Sequence, residues 1–424
     1  MQIRKRSKLA LLGGERTIPK GYVKPWPPIG EIDKKYVLKA LEGPSHTYGP
    51  NCTALEKDFA RWNGNRFAIL TNSGTAALHM AVAACGCGTG DEVIVPAYSW
   101  SSSVTCILHH NAIPVFVDID YKTMNIDTDK IEAAITPKTK AILVVHLHGL
   151  AVNMEKVCRI ARKHNLKVIE DACQSHGAEF KGKKVGLWGD CGGFSLNHNK
   201  CLTSGEGGIF VTDDEEMLNT AKMLWSFGED RKPNESRDYH AYALGWMYRS
   251  SELVAGFGRA QLTKLDSYLK IQEENAHVLL EGIKDIKGLI PPYVPKGHKH
   301  IWYNLTMHID AKKLGYEGKD VLLRDAILKA LDAEGTQCNI WQRYILPAMT
   351  VFQAKNAYGK GCPWTCPNTR KITYNPKDYP VAQKHCDTHF GMTMPLRAPN
   401  NTRVAKLLAE AFVKVFDNLK ELGV

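Results

Sequence analysis

The sequence predicts an α/β fold with a largely parallel central sheet between about residue 31 and residue 270. Short apolar runs recur through this region, each run is continuous rather than alternating, and helical patterns lie between them. Strands that are apolar on both faces are typical of parallel sheets covered by helices on both sides. Parallel strands also need crossover connections, which the intervening helices would supply. The apolar runs are "FAIL", "EVIVP", "IPVFVDI", "AILVVH" and "LKVIED", and the helical patterns are "GTAALHMAVAAC", "DTDKIEAAI" and "NMEKVCRIARKHN".

The chain divides into three predicted parts. Residues 1–30 are punctuated by proline and glycine, end in "KPWPPIG" and form an N-terminal arm. Residues 31–270 form the large α/β domain. The helical pattern "SSELVAGFGRAQLTKLDSYLKIQEENAHVLLEGI" leads into residues 271–424, a smaller C-terminal α+β domain. This domain contains the strand-like "HIWYNLTMHI", the helical "KDVLLRDAILKALDAEG" and the final amphipathic helix "TRVAKLLAEAFVKVFDNLKEL".

The composition argues against several classes of protein. The chain has 424 residues, of which 44% are hydrophobic and 23% charged, as in ordinary soluble globular proteins. No apolar run approaches the roughly 18 residues that a membrane span needs. The apolar stretch "LALL" near the start is too short for a signal peptide, so we expect a cytoplasmic protein.

Charge and cysteine content argue against a nucleic-acid-binding protein and against a metal site. The net charge of +11 is spread along the chain, and no zinc-finger spacing or RNA-binding aromatic signature accompanies it. We therefore expect no nucleic-acid partner, although small anionic ligands are favoured. The twelve cysteines lack a paired C-x-x-C framework, so we expect no metal site and reduced thiols.

Four segments place chemically useful side chains where predicted strands end. Ligands of open parallel sheets bind beyond the carboxyl ends of the strands. In "TNSGTAALHMA", Gly74 and Thr75 open a helix whose free N–H groups favour a phosphate. An ordinary Ser/Thr helix cap is the alternative interpretation of this segment.

The second segment is "VIEDACQSHGAEF", in which Asp171 directly follows an apolar strand. A buried carboxylate needs a cation or donors, and a protonated ring nitrogen would serve as partner. Gln174 and His176 follow as possible second contacts. A structural salt bridge is the alternative for Asp171.

The third and fourth segments supply an aromatic ring and an amine. Trp100 lies in the polar loop "VPAYSWSSS", where it can stack on a flat heteroaromatic ring or simply pack. In "GGFSLNHNKCLTSGEGG", Ser195 ends a run and Lys200 follows five residues later. Lysine forms Schiff bases with carbonyls, and a polar cationic setting would lower its pKa, although most lysines are merely solvated. Together the four segments describe a pyridoxal phosphate site.

With these motifs the sequence resembles the DegT/StrS-type aminotransferases of sugar and cyclitol biosynthesis. The resemblance covers nearly the whole chain and is most specific at "NSGTAAL", "GDEVIVPAYSW", "PVFVDID", "EDACQSHGAEFKGKKVG" and "FSLNHNKCLTSGEGG". It implies fold type I of the pyridoxal phosphate transferases, with a mostly parallel seven-stranded sheet and a smaller C-terminal domain. It also implies a homodimer with the active site at the subunit interface.

The resemblance assigns roles to individual residues. Lys200 would hold pyridoxal 5'-phosphate as a Schiff base and move the catalytic proton, and Asp171 would pair with the pyridine nitrogen. Gln174 would contact the cofactor near its phenolic oxygen, and Trp100 would stack on the ring. The phosphate would be bound by Gly74, Thr75 and Ser195.

The sequence departs from the family pattern in "GWMYRSSEL". Family members often have asparagine where this chain has Met247, and this asparagine reaches the neighbouring subunit's cofactor phosphate. Methionine cannot donate the same hydrogen bond. Tyr248 and Arg249 are retained, and together with His176 they are candidate substrate contacts; for Arg249 a structural ion pair is the alternative.

The function that follows is transfer of an amino group from L-glutamine or L-glutamate to a keto cyclitol, similar to scyllo-inosose, or to a keto sugar. Two alternatives remain open. One is a dehydratase or aminodehydratase of the same fold, although that subgroup carries histidine where this chain has Lys200. The other is a cofactor-binding regulator without catalytic activity.

Overall fold

A computed structural model describes residues 8–230 and 236–423. Its strands are β1 (Phe67–Thr71), β2 (Glu92–Pro96), β3 (Ile113–Val117), β4 (Thr139–Val145), β5 (Lys167–Asp171), β6 (Glu179–Phe180), β7 (Lys183–Lys184), β8 (Cys191–Ser195), β9 (Gly208–Thr212), β10 (Leu289–Ile290), β11 (His298–Lys299), β12 (Leu305–Ile309) and β13 (His389–Met392). The helices are α1 (Glu31–Leu41), α2 (Pro50–Asn63), α3 (Gly74–Ala84), α4 (Ser102–His109), α5 (Met154–Lys163), α6 (Glu215–Trp225), α7 (Glu252–Leu262), α8 (Leu265–Ile283), α9 (Asp320–Glu334), α10 (Thr350–Ala354), α11 (Pro380–Thr388) and α12 (Thr402–Asp417).

The central sheet has seven strands in the order β1-β9-β8-β5-β4-β2-β3. The pairs β2/β3, β2/β4, β4/β5 and β5/β8 are parallel, whereas β9 runs antiparallel to both of its neighbours. The α/β fold class and the five strands expected from the apolar runs are confirmed. Because β1, β2, β5 and β8 point the same way, their carboxyl ends meet at one edge of the sheet.

Both faces of this sheet are buried, which explains the continuous apolar runs. In β2, Val93 and Val95 face the layer that includes α3, α4 and α6, whereas Ile94 faces the layer of α2, α5 and α7. Successive side chains of a strand point to opposite faces, so a strand covered on both sides is apolar at every position.

Two predicted helices differ from the structure. The pattern "DTDKIEAAI" forms only a short 3-10 turn, Glu132–Ala134. The Asp127 carboxylate accepts a hydrogen bond from the Asp129 backbone N–H, which competes with helix formation, and Pro137 prevents a continuation. The long pattern before residue 284 is two helices, α7 and α8, that break at Thr263 and Lys264.

The C-terminal part contains a three-stranded antiparallel sheet, β10-β12-β13, which packs with α8, α9 and α12. Helix α8 runs across the domain boundary that we predicted between residues 270 and 271. The division into domains at this point stays a prediction. Part of the C-terminal sequence, including Ile345, Phe352 and Tyr374, packs into the core of the large sheet.

Residues 1–7 of the predicted arm lie outside the described residues. The rest of the arm packs against the C-terminal core. Leu9 and Ile18 are buried in the C-terminal core. The backbone N–H groups of Ala10 and Thr17 donate to the Glu334 carboxylate, which anchors the arm.

The twelve cysteines are all free thiols, and nine of them are buried. Burial raises the pKa of the Cys338 thiol to about 12, which keeps it in the unreactive protonated form. Among the described helices, none combines the length and the apolar surface that crossing a membrane requires.

Buried neutral histidines make the fold sensitive to acid. Burial lowers the pKa of His300 and His308 to about 3 and that of His389 to about 4. An unfolded histidine titrates near 6.5, so below that pH the unfolded chain binds more protons than the folded chain. Each such residue costs about 1.4 kcal/mol of unfolding free energy per pH unit between its unfolded and folded pKa values.

We therefore expect the free energy of unfolding to be highest between about pH 7 and 8 and to fall by several kcal/mol between pH 6.5 and 5. Urea unfolding at a series of pH values measures this. His308→Gln should reduce the slope of unfolding free energy against pH by the equivalent of about one proton taken up on unfolding. His240→Gln, at an exposed position, should leave this slope unchanged. A free energy of unfolding that stays flat down to pH 5 would contradict this account.

Candidate active site

A cavity of about 340 Å³ lies where the carboxyl ends of β1, β2, β5 and β8 meet. Two residues of the C-terminal half and the β8–β9 loop also contribute to its wall. Its lining residues are Ser73, Gly74, Thr75, Trp100, Ser102, Ser103, Asp171, Cys173, Gln174, Ser195, Asn197, Asn199, Lys200, Glu206, Tyr303 and Trp341. The seven residues predicted to bind the cofactor are all among them.

The N-terminus of α3 points open backbone donors into the cavity. The Ser73 side chain caps this helix by accepting a hydrogen bond from the Ala76 N–H at 3.1 Å. In the described part of the chain, the N–H groups of Gly74 and Thr75 make no hydrogen bond. Free N–H groups and the positive end of the helix dipole together favour an anion such as phosphate.

Close packing explains why residue 74 is glycine. A Cβ atom built on Gly74 would lie 2.8 Å from Ser195 Cβ and 3.0 Å from Cys173 Sγ. The small residue therefore lets the start of α3 approach the end of β8, which places Ser195 beside the free N–H groups. Ser195 is buried, and its Oγ accepts a hydrogen bond from Asn197 N–H at 3.3 Å.

We expect Gly74→Ala to weaken binding of pyridoxal phosphate about tenfold to a hundredfold, because the added methyl group pushes α3 away from Ser195. Fluorescence titration of the cofactor-free protein measures this. Gly88→Ala is a matched control, since nothing lies within 4 Å of the Cβ position there. Equal affinities of the two variants would argue against a phosphate cradle at α3.

Asp171 ends β5 and is 3% exposed. One carboxylate oxygen accepts from Ser103 Oγ at 2.6 Å, and the other accepts from Cys173 N–H at 3.1 Å. In residues 8–230 and 236–423, no side-chain cation lies within ion-pair distance of it. A buried carboxylate without a cation is costly, so the site suits a protonated ring nitrogen.

Gln174 is oriented by the backbone. Its Oε1 accepts a hydrogen bond from the His148 N–H at 3.0 Å, which leaves the Nε2 group to donate elsewhere. Because Gln174 lines the cavity, this amide nitrogen is available to an acceptor oxygen on a bound ring.

Two tryptophans form an aromatic wall. Trp100 is 52% exposed and its ring centroid lies 6.1 Å from that of Trp341, at an angle of 49°. Trp341 also packs edge-on against His148 and Tyr98. Flat apolar faces of this kind stack on heteroaromatic rings and on the C–H faces of sugar-like rings.

Lys200 projects into the cavity from a turn in the β8–β9 loop. The backbone N–H of Lys200 donates to the Asn197 carbonyl at 2.8 Å, and the Asn197 Oδ1 accepts from the Asn199 backbone N–H at 3.1 Å. Asparagine favours such a turn because its side chain bonds the backbone two residues on. The Lys200 Nζ donates to Tyr303 Oη at 3.3 Å and lies 4.9 Å from the centre of that ring.

The side chains around Lys200 favour the charged form of its amine. Burial lowers the pKa of this amine, but the interactions with Tyr303, Cys173 and Asp171 outweigh burial, so the pKa is raised. The expectation that the chain's own side chains lower this pKa is therefore wrong. A cationic group placed beside Asp171 would offset part of this effect.

The three residues predicted to contact the substrate lie outside the cavity lining. His176 is fully buried beside Phe194, and burial lowers its pKa to about 3. The Tyr248 hydroxyl bonds His79 Nδ1 at 2.9 Å, and the Arg249 guanidinium lies 5.2 Å from the Phe227 ring.

The structure adds lining residues that sequence reasoning missed. Tyr303 and Trp341 come from the C-terminal half, and Asn197, Asn199 and Glu206 come from the β8–β9 loop. Glu206 accepts from Asn197 Nδ2 at 2.8 Å. The two asparagines and Glu206 lie close to Lys200 in sequence, so this closeness could have identified them as lining residues. Nothing in the strand-like sequence around Tyr303 indicates that this residue lines the cavity.

The donor set fits pyridoxal phosphate. Free N–H groups and a serine hydroxyl suit the phosphate, Asp171 suits a protonated pyridine nitrogen, and the Gln174 amide suits the phenolic oxygen. Lys200 supplies the amine that the aldehyde requires.

Comparison with known proteins gives consistent matches. The sequence profile described as the DegT/DnrJ/EryC1/StrS aminotransferase family matches residues 27–389. The chain is 38% identical over 307 residues to the GDP-perosamine synthase of Caulobacter vibrioides, covering 72% of this chain and 80% of that protein.

It is 35% identical over 335 residues to a putative L-glutamine:3-amino-2,3-dideoxy-scyllo-inosose aminotransferase of Micromonospora echinospora, covering 78% of each. The crystal structure of an aminotransferase from Psychrobacter cryohalolentis superposes with a TM-score of 0.81 and 28% identity, covering 94% of this chain and all of the other.

Proposed function

The chain belongs to the DegT/DnrJ/EryC1/StrS aminotransferase family, and from this premise we propose that it transfers the amino group of L-glutamine or L-glutamate to a keto cyclitol or keto sugar. The enzyme is a pyridoxal phosphate-dependent aminotransferase. The observation that supports the proposed chemistry most is the convergence of Lys200, Asp171 and the open N-terminus of α3 on one cavity.

The proposed mechanism assigns each side chain a separate task. When bound, pyridoxal phosphate withdraws electrons from the substrate carbon that carries the nitrogen, which makes a proton on that carbon acidic. Lys200 Nζ accepts this proton and returns it at a different atom, and Tyr303 Oη accepts a hydrogen bond from Nζ and so limits its position. Asp171 keeps the positive charge on the ring nitrogen, and Ser103 orients Asp171.

The cavity favours an acceptor without phosphate groups. Among the described residues that line it, Lys200 is the one cation, whereas Asp171 and Glu206 are carboxylates. A diphosphate-linked sugar requires several cationic or donor groups, while a neutral polyhydroxylated ring requires aromatic faces and amide or carboxylate partners. Trp341, Asn197, Asn199 and Glu206 are of the second kind, so we propose a keto cyclitol or a free keto sugar before a nucleotide-linked one.

We propose that the enzyme acts as a homodimer. The segment after α6 presents apolar side chains to solvent in a single chain, with Leu244 74% and Met247 51% exposed. Burial of such side chains between two copies would remove apolar surface from water. Light scattering on the purified protein distinguishes a dimer from a monomer.

Initial-rate kinetics with both substrates test the proposed reaction. With a keto cyclitol as acceptor, double-reciprocal plots should be parallel, as expected of two half-reactions on one site. One keto acid should form for each amine formed. Release of water without transfer of the donor nitrogen would instead support a dehydratase, and a cofactor spectrum that no amino donor changes would support a regulator.

A further inference from the structure

Arg397 is a buried arginine that lies next to the candidate active site. It follows β13 and a short 3-10 turn, and it is 1% exposed. In the described part of the chain, no carboxylate lies within ion-pair distance of its guanidinium, and its Nε has no hydrogen-bond partner. A buried cation of this kind is costly unless other groups compensate it.

Two aromatic rings and two backbone carbonyls compensate this charge. The guanidinium carbon lies 5.1 Å from the centre of the Trp26 ring and 5.3 Å from that of Tyr303. Nη1 donates to the Asn199 carbonyl at 2.7 Å, and Nη2 lies 3.5 Å from the Tyr303 carbonyl. Cation–π contacts are strongest in desolvated surroundings, and a planar guanidinium makes them together with its hydrogen bonds.

These contacts all act on the segment that carries Lys200. Asn199 directly precedes Lys200, and Tyr303 accepts the hydrogen bond of the Lys200 amine. Trp26 donates through Nε1 to the His198 carbonyl at 3.1 Å, so the same loop is held from a second side. The guanidinium thus connects the N-terminal arm, the lysine loop and the strand region of Tyr303.

We propose that Arg397 is a positioning residue for Lys200. It fixes the main chain before the lysine through the Asn199 carbonyl, and it fixes the hydrogen-bond acceptor of the amine through Tyr303. Arg397 is not among the cavity-lining residues, so it acts without contacting cofactor or substrate. This inference rests on the proposed role of Lys200 and extends it to the C-terminal half of the chain.

The rate at which cofactor-free protein attaches pyridoxal phosphate to Lys200 tests the proposal without any turnover. Stopped-flow absorbance follows this step, and borohydride reduction with peptide mapping confirms the attached lysine. Arg397→Met should slow attachment about tenfold or more, because small displacements of a reacting group are costly. Arg397→Lys retains the charge and one donor and should recover part of the rate, and Tyr303→Phe should slow attachment in the same direction.

Arg324→Met is the matched control, since Arg324 is also buried, at 2% exposed, but donates to Asp325 and to the Cys386 carbonyl. It should lower the melting temperature without slowing attachment. If Arg397→Met destabilises the protein as Arg324→Met does but attaches the cofactor within twofold of wild type, the proposal is overturned.

If Arg397→Met does not fold, Arg397→Lys and Tyr303→Phe carry the test, and wild-type attachment rates in both overturn it. Absence of attachment at Lys200 in the wild-type protein would mark failure of the proposed function itself.

Discussion

Replacing Lys200 with alanine should lower the rate of amino-group transfer by about a thousandfold or more, because the variant loses the one amine among the described residues that line the cavity. The other cofactor contacts that we propose, at the N-terminus of α3 and at Asp171, do not depend on this amine. The variant should therefore still bind pyridoxal phosphate, but without a covalent link. Single-turnover measurements with excess amino donor separate the loss of proton transfer from the loss of binding.

Lys35→Ala is the control for this variant, since Lys35 is an exposed lysine on α1. It should react like the wild type. General acid–base catalysis typically contributes about a hundredfold to ten-thousandfold to a rate. A Lys200→Ala variant that transfers amino groups within about tenfold of the wild-type rate would therefore show that another group moves the proton.

Asp171→Asn should lower the same rate by about a hundredfold, with a much smaller change in the KM of the donor. The amide that replaces the carboxylate cannot stabilise a proton on the ring nitrogen, and one pKa unit of such stabilisation is worth about 1.4 kcal/mol. Single-turnover rates and the pH dependence of the cofactor absorbance measure the loss.

Asp118→Asn is the matched control. Asp118 is also a buried carboxylate just beyond a strand end, but it accepts hydrogen bonds from the Val381 and Ala382 backbones. This variant should lose stability and keep the rate per folded molecule. Equal rate losses in both variants would mean that Asp171 has only a structural role.

The residues of the site that could be predicted are those with suitable chemistry that directly follow a predicted strand or open a predicted helix. Asp171 and Ser195 follow apolar strands, and Gly74 opens a helix, so their places followed from the rule that ligands bind at the carboxyl ends of parallel strands. Five of the seven strands of the central sheet could be predicted because burial on both faces leaves continuous apolar runs.

The rest depended on contacts between distant segments. Tyr303, Trp341 and Arg397 are brought to Lys200 by the packing of the C-terminal half, which no local pattern encodes. Tyr303 lies in an apolar run where an aromatic residue would be expected in any core. The split between α7 and α8 is different, because it lies at a local turn in which the Thr263 hydroxyl donates to the Ala260 carbonyl.

The central claim is that Lys200, in the cavity with Asp171, carries the donor half-reaction. The most direct measurement mixes the cofactor-loaded enzyme with L-glutamine or L-glutamate in the absence of any acceptor, and follows the cofactor absorbance together with the keto acid released. We expect the band of the lysine-bound cofactor to disappear and one keto acid to form per active site, and we expect Lys200→Ala to show neither change. An unchanged band with both donors, or keto acid formation by the Lys200→Ala variant at the wild-type rate, would contradict it.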